Sequence, residues 1–274
     1  MNLHLLVKEL TAIVSGTDQP YREARLLAAS LFGGDMAAMY RSYRTDVSPE
    51  TASRLRLAAV RRARGEPLQH ILGEAWFHGR RFICDERALV PRPETETLVD
   101  AVIAAGLPEN PRILDVGTGS GVVGITLALS VMGSTVSGTD ISPGAAQLAR
   151  ENALLLGARN FTVIETDLTA GLEGGFHAVA ANLPYIPSGD IPGLMPEVRF
   201  DPVTALDGGP SGLDCTGRLV YEAEGVLLPQ GLLAIEIGCD QSRDVCAMLG
   251  KWSDVKVLND LAGRPRVVTA RRNP

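Results

Sequence analysis

Two short stretches of this 274-residue chain combine residue types that could do chemistry. One is Asn182-Leu183-Pro184-Tyr185-Ile186-Pro187, which follows an apolar run at 178–181. It sets a polar amide, a rigid backbone and an aromatic ring side by side. A neutral amide or exocyclic amine is a poor nucleophile because its nitrogen lone pair is delocalised. Groups that accept hydrogen bonds from its N–H raise electron density on the nitrogen. They also stabilise the positive charge that grows there as a methyl group arrives. The Asn182 side-chain oxygen and the Leu183 carbonyl are candidates for two such acceptors. Pro184 would fix the backbone so that the second carbonyl points inward, and Tyr185 could stack on a planar acceptor. Taken alone, the stretch also reads as a plain turn, because Asn-x-Pro commonly ends a strand.

The other stretch is Ile113-Leu-Asp-Val-Gly-Thr-Gly-Ser-Gly121, running from a predicted strand into a predicted helix. Glycine admits positive φ and close approach to a ligand, and the helix that follows offers free N–H groups at its start. A dinucleotide site looks similar, so the loop alone is weak evidence. Asp140, at the end of the next strand, suits ribose hydroxyls in either case. Two further acids separate the readings. Asp115 stands before the first glycine, where an acid would face a cation rather than a pyrophosphate. Asp167, after the third strand, can accept from an adenine amino group. Acid-lined walls attract a sulfonium that carries an α-amino group and repel a pyrophosphate. These features favour S-adenosylmethionine, with S-adenosylhomocysteine as product. The candidate cofactor residues are Asp115, Gly117, Thr118, Gly119, Gly121, Asp140, Asp167, Leu168 and Asn182. With a glycine loop and an acceptor loop at the ends of two strands, methyl transfer to a planar nitrogen outweighs the turn reading. Such an in-line displacement depends mostly on positioning.

The elements that must position these residues are legible in the periodicity. Strands are predicted at 112–116, 135–140, 161–165, 178–181, 232–237, 255–258 and 267–270. Helices are predicted at 95–105, 121–131, 143–156, 216–228 and 241–249. Alternation of this kind implies an α/β fold, a parallel sheet with helices on both faces. Residues 1–72 show no strand pattern and read as a small helical bundle, with helices at 23–32 and 48–64. Ser48 is the expected N-cap of the latter, with Pro49 at its first position. Aromatics around His78-Gly79 within 73–90 suggest a β-hairpin connector, and residues 91–274 form the expected catalytic domain.

Composition excludes several other classes. No apolar run reaches the ~20 residues of a membrane span, and residues 1–10 lack a signal-peptide core, so a cytoplasmic location is expected. Cys84, Cys215, Cys239 and Cys246 form no Cys-x-x-Cys pair and the four histidines do not cluster, so neither a metal site nor a disulfide framework is expected. The net charge of −6 is uneven: residues 1–70 hold ten basic against seven acidic side chains, and the remainder sixteen against twenty-five. An acidic catalytic region without a Lys/Arg stripe argues against a nucleic-acid adenine methyltransferase.

These stretches resemble the HemK/PrmC family, the protein glutamine N5-methyltransferases that modify class 1 peptide-chain release factors. The likeness also rests on Gly65-Glu-Pro-Leu-Gln-His-Ile-Leu-Gly73, Val90-Pro-Arg-Pro-Glu-Thr-Glu96, Glu197-Val-Arg-Phe200, Ala205-Leu-Asp-Gly-Gly209, Gly212-Leu-Asp214, Glu236-Ile-Gly238, Asp260-Leu-Ala-Gly263 and Arg266-Val-Val268. It spans about residues 20–270, in order. The resemblance implies a Rossmann-like, seven-stranded class I methyltransferase domain behind a small N-terminal helical domain that helps grip the release factor. It implies a monomer that methylates the side-chain amide of the Gln in a Gly-Gly-Gln loop. Carried over, Asn182, Leu183, Pro184 and Tyr185 hold the amide, and Gly117, Asp140 and Asp167 contact the cofactor. Arg92, Glu94 and Glu197 shape the substrate channel, or Arg92 and Glu94 only anchor a helix start. One departure stands out: the family usually has Asn-Pro-Pro-Tyr, and this chain has Leu183 in second place. Asn-Leu-Pro-Tyr is also similar to the version in rRNA adenine N6-dimethyltransferases. It leaves open a divergent member that N-methylates a small metabolite such as an amide, guanidinium or amine.

Overall fold

The computed structural model describes residues 1–274, which divide into two compact units. One comprises Met1–Gly73 together with Met195–Phe200, and the other Glu74–Leu194 with Asp201–Pro274.

The first unit contains helices α1 (Leu3–Ile13), α2 (Pro20–Ala29), α3 (Met36–Arg41), α4 (Pro49–Ala63) and α5 (Leu68–Leu72). Their N-termini carry side-chain caps where the sequence supplies them. Asn2 accepts from Leu5 N, Asp35 from Ala37 N and Ala38 N, and Ser48 from Thr51 N. Each satisfies amides that a helix start leaves without partners. Leu3, Leu6, Leu10, Leu27, Met39 and Leu55 are buried in its core. The Arg62 guanidinium is buried between Glu23 and Glu197, at 2.8 Å from each. A buried cation requires such partners, so this pairing holds the distant 195–200 stretch in the helical unit.

The second unit opens with the hairpin β1 (Glu74–Phe77) and β2 (Arg80–Ile83), turned through His78 and Gly79, both at positive φ. Its sheet contains β3 (Arg112–Val116), β4 (Thr135–Asp140), β5 (Phe161–Glu165), β6 (Phe176–Ala181), β7 (Leu227–Glu236), β8 (Ser253–Asn259) and β9 (Pro265–Arg271). The seven lie in the order β5-β4-β3-β6-β7-β9-β8. The intervening helices are α6 (Glu96–Ile103), α7 (Val122–Ser130), α8 (Pro143–Leu156), α9 (Asp214–Val226) and α10 (Ser242–Met248). Side chains alternate along β3: Ile113 packs in one core with Leu98, Val102 and Ile125, while Leu114 and Val116 pack in another with Leu219, Ala223 and Val245. The sheet is therefore buried on both faces.

The expected parallel sheet has one antiparallel strand. Strands β5 to β7 run parallel, but β9 lies antiparallel between β7 and β8. The cause is local. Asp260 Oδ1 accepts from both Ala262 N and Arg264 N and folds the β8–β9 connection into a tight turn. A connection of that length cannot carry a parallel crossover.

Candidate active site

The carboxyl ends of β3, β4 and β6 converge on a cavity of about 270 Å³. Open α/β sheets bind ligands on that edge. The loop after β3 takes positive φ at Gly117, Gly119 and Gly121 and passes into α7. Asp115 holds it in shape: its Oδ2 accepts from Thr118 Oγ1 at 2.5 Å and from Gly124 N at 2.8 Å. Burial pushes the Asp115 carboxyl up to about 6, against these two hydrogen bonds, and the nearby charge of Asp140 adds to the rise. The second anchor is Asp140, which accepts from Gly119 N at 2.8 Å and Ser142 N at 2.9 Å. Burial also raises its carboxyl above the usual range.

No β-carbon fits at two points of this cradle. A Cβ at Gly117 would lie 2.8 Å from Leu183 Cδ2, and one at Gly138 would lie 2.9 Å from Thr118 Oγ1. Glycine at 117 therefore lets the two loops meet. Farther along the wall, Asp167 pairs with Arg218 at 2.8 Å, and Leu168 takes φ +47°.

The loop after β6 closes the cavity with Asn182, Leu183 and Pro184. Asn182, on the cavity wall, donates from Nδ2 to Thr95 Oγ1 at 3.1 Å, which leaves Oδ1 as the acceptor end of the amide. The Leu183 side chain is buried in the core beneath the sheet, among Val116 and Leu168. The stretch 206–212 braces this loop from behind. Ile186 N donates to Leu206 O at 3.0 Å and Gly208 N to Ile186 O at 2.9 Å. Gln241 Nε2 donates to Tyr185 O at 2.9 Å. On the opposite side, Arg92 pairs with buried Asp201 at 2.7 Å, and Asp201 also accepts from Val90 N.

The cavity brings together Asp115, Gly117, Thr118, Gly119, Asp140, Asp167, Leu168, Asn182, Leu183, Pro184 and Arg92. It does not include Gly121, which instead starts α7 against Ile125 and Ala149. Three other expected site residues stand apart from this cavity. The Tyr185 side chain does not line the cavity. Its phenol lies beside Glu236, and burial, reinforced by that charge, pushes it up to about 12. Glu94 does not line the cavity either. Glu197 is taken up by Arg62 in the helical unit. Residues missed by sequence reasoning include Thr95, Ile141, Ser142, Cys215 and Arg218, all on the cavity wall. Thr95 lies in the Val90–Glu96 stretch and Ser142 carries the N-cap signal for α8, but Cys215 and Arg218 come from a helix whose local pattern reports only its packing.

A site of this form, on a seven-stranded sheet in this order, defines a methyltransferase domain. Residues 107–260 match a methyltransferase domain family, and residues 6–73 match the PrmC N-terminal domain. A methyltransferase from Pyrococcus furiosus shares the fold, with a TM-score of 0.54 at 17% identity over 72% of this chain and 91% of that one. The release factor glutamine methyltransferase of Deinococcus radiodurans is 40% identical across 99% of both chains. That of Rhodospirillum rubrum is 40% identical over 94% of this chain and 81% of its own. The chain belongs to the release factor glutamine methyltransferase family.

Proposed function

We propose that this chain transfers a methyl group from S-adenosylmethionine to the side-chain amide of the Gln in the Gly-Gly-Gln loop of class 1 peptide-chain release factors. The observation that carries the reading is the Asn182 amide, anchored through Nδ2 to Thr95 at 3.1 Å on the wall that also holds the glycine loop.

The residues present fit the cofactor. The positive-φ glycines leave the space that side chains would fill, and Asp115 and Asp140 provide negative charge suited to a sulfonium, an α-amino group and ribose hydroxyls. Ile141 and Leu168 offer apolar wall for a planar base, with Asp167 beside them. When bound, S-adenosylmethionine supplies an electrophilic methyl group. The chain's own contribution is to place a weak nucleophile in line with it. Asn182 Oδ1 and the Leu183 carbonyl accept from the two N–H groups of the Gln amide. They orient the nitrogen and stabilise the charge that develops on it. Pro184 holds the second carbonyl in place. Arg92, held by Asp201, narrows the channel by which the Gln side chain enters.

The Leu183 side chain supports the same acceptor. It is buried among core residues, and the proposed role asks only for its backbone carbonyl. It takes the place of the usual ring without adding a group that would select a metabolite. The helices of residues 1–72 serve to hold the release factor, and the hairpin within 73–90 connects them to the catalytic domain at 91–274. The enzyme acts as a monomer in the cytoplasm, where release factors work; no helix is long and apolar enough to cross a membrane.

The test is transfer of labelled methyl to purified release factor, to RNA and to a small-metabolite extract. Label should enter the release factor and be absent from a Gln→Ala substrate. Label confined to RNA or to the extract would overturn the proposal.

A further inference from the structure

Glu236 is the last residue of β7, beside the acceptor loop because β6 and β7 pair in parallel with Ala181 opposite Ile235. It is 2% exposed, and its Oε2 takes no hydrogen bond. A buried carboxyl with an unpaired oxygen is costly and is retained where it does something other than stabilise the fold. Around it stand the hydroxyls of Thr95 and Tyr185, the Arg266 guanidinium and the Glu94 carboxyl. Thr95 is also the group that accepts from Asn182 Nδ2.

We infer that Glu236 is a positioning residue, acting through the Thr95 hydroxyl to fix which end of the Asn182 amide faces the substrate. The inference rests on the proposed function, because only a substrate N–H needs an acceptor at Asn182.

The chemistry runs in one direction. An ionised carboxylate only accepts hydrogen bonds, and a threonine hydroxyl has a single proton to give. When Thr95 gives that proton to Glu236, its oxygen can only accept from Asn182. An Asn side chain meets an obligate acceptor with Nδ2, which leaves Oδ1 for the substrate. Without the carboxylate, the Thr95 proton is free to point at Asn182, where it favours the amide turned by half a rotation. The cavity would then present an N–H to the N–H of the Gln amide, a repulsive contact in place of an attractive one. Tyr185 is the second hydroxyl placed to give its proton to the same carboxyl, and Arg266 supplies the compensating charge. Burial raises the Glu236 carboxyl to about 7, so its charge changes near neutral pH. The direction of the chain, and with it turnover, should follow that ionisation.

The experiment compares the full-length wild type with Glu236→Gln, Thr95→Val and Thr95→Ser on purified release factor. It follows kcat and KM from pH 6 to 8.5, with S-adenosylhomocysteine affinity by calorimetry and a melting temperature for each protein. Wild-type kcat should rise with pH through about 7, the range in which Glu236 ionises. Glu236→Gln should lower kcat on the order of 10²-fold at pH 8, the usual loss for one preorganised hydrogen-bonding group, and flatten that rise. Its KM for release factor and its cofactor-product affinity should stay within about threefold, the pattern of an interaction made in the transition state. Its melting temperature at pH 8 should equal or exceed that of the wild type, because a carboxyl with a raised pKa costs the folded state stability as pH climbs from its ordinary value of 4.5 to about 7, a loss complete by pH 8. Thr95→Ser should keep most activity and Thr95→Val should behave like Glu236→Gln. Wild-type turnover by Glu236→Gln at pH 8, or equal activity of the two Thr95 variants, would overturn the inference alone. A wild type that leaves release factor unmodified would overturn the proposed function as well.

Discussion

Asn182 illustrates how little of a side chain's chemistry is settled by its identity. An amide can donate or accept, and the choice is made by what holds its other end. Here Thr95 takes Nδ2 at 3.1 Å, so the free end is an acceptor. A group that only positions and polarises the substrate should be dispensable for the cofactor. Asn182→Ala should keep S-adenosylhomocysteine affinity within about threefold by calorimetry while turnover falls roughly 10²- to 10³-fold. Turnover near the wild-type rate would remove Asn182 from the mechanism. Asp115 shows the reverse case. Its charge suggests a ligand contact, yet one oxygen is already committed to Thr118 and Gly124, so it shapes the loop whatever else it touches.

Among elements, the acceptor loop is the one whose shape depends on a partner far along the chain. The stretch 206–212 closes against it so tightly that a Cβ at Gly212 would sit 2.3 Å from Tyr185 O, and Gly212 itself takes φ +72°. Gly212→Ala should therefore displace the loop and lower kcat by at least about tenfold, since misplacement of this size removes the benefit of orientation. Gly157→Ala is the matching control. It has a similar φ of +69° at the end of α8 but nothing within 4 Å. It should cost about 1 kcal/mol of stability, as strain at positive φ does, and leave turnover unchanged. Equal turnover in the two variants would mean that 206–212 does not brace the site.

The same elements show where sequence is informative and where it is not. The bounds of β3, β4, β5 and α8 follow from local alternation and caps and agree residue for residue with those expected. The spacing of Leu3, Leu6, Val7 and Leu10 marks α1 in the same way, although the first helix expected within the bundle was at 23–32. Helices α3 and α5 are too short to show a period. Strand direction leaves no trace in alternation, so the antiparallel β9 followed only from the Asp260 turn. At the site, the glycine loop and Asn182 were legible because each motif is contiguous. Thr95 meets Asn182, and Glu236 lies near Thr95, only through the register of β6 and β7 and the start of α6, which no local window contains. Glu197 shows the opposite case. It lies in a family motif near the acceptor loop in sequence, but its carboxylate is spent on Arg62.

For the whole molecule, the chain divides into two compact units, each with its own core. The acidic second unit contains every residue of the cavity, while the helical unit has its own buried core and takes in residues 195–200 from the far half of the chain. The proposed function assigns the macromolecular substrate to the helical unit and the reaction to the other. It also makes the position of the methyl group the sharpest statement of the account. The most direct measurement is tandem mass spectrometry of release factor after incubation with the wild-type enzyme and S-adenosylmethionine. The expected result is one added methyl on the side-chain nitrogen of the Gly-Gly-Gln glutamine, formed roughly 10²- to 10³-fold more slowly with Asn182→Ala. A methyl group on any other residue, or an unmodified glutamine under turnover of the cofactor, would contradict it.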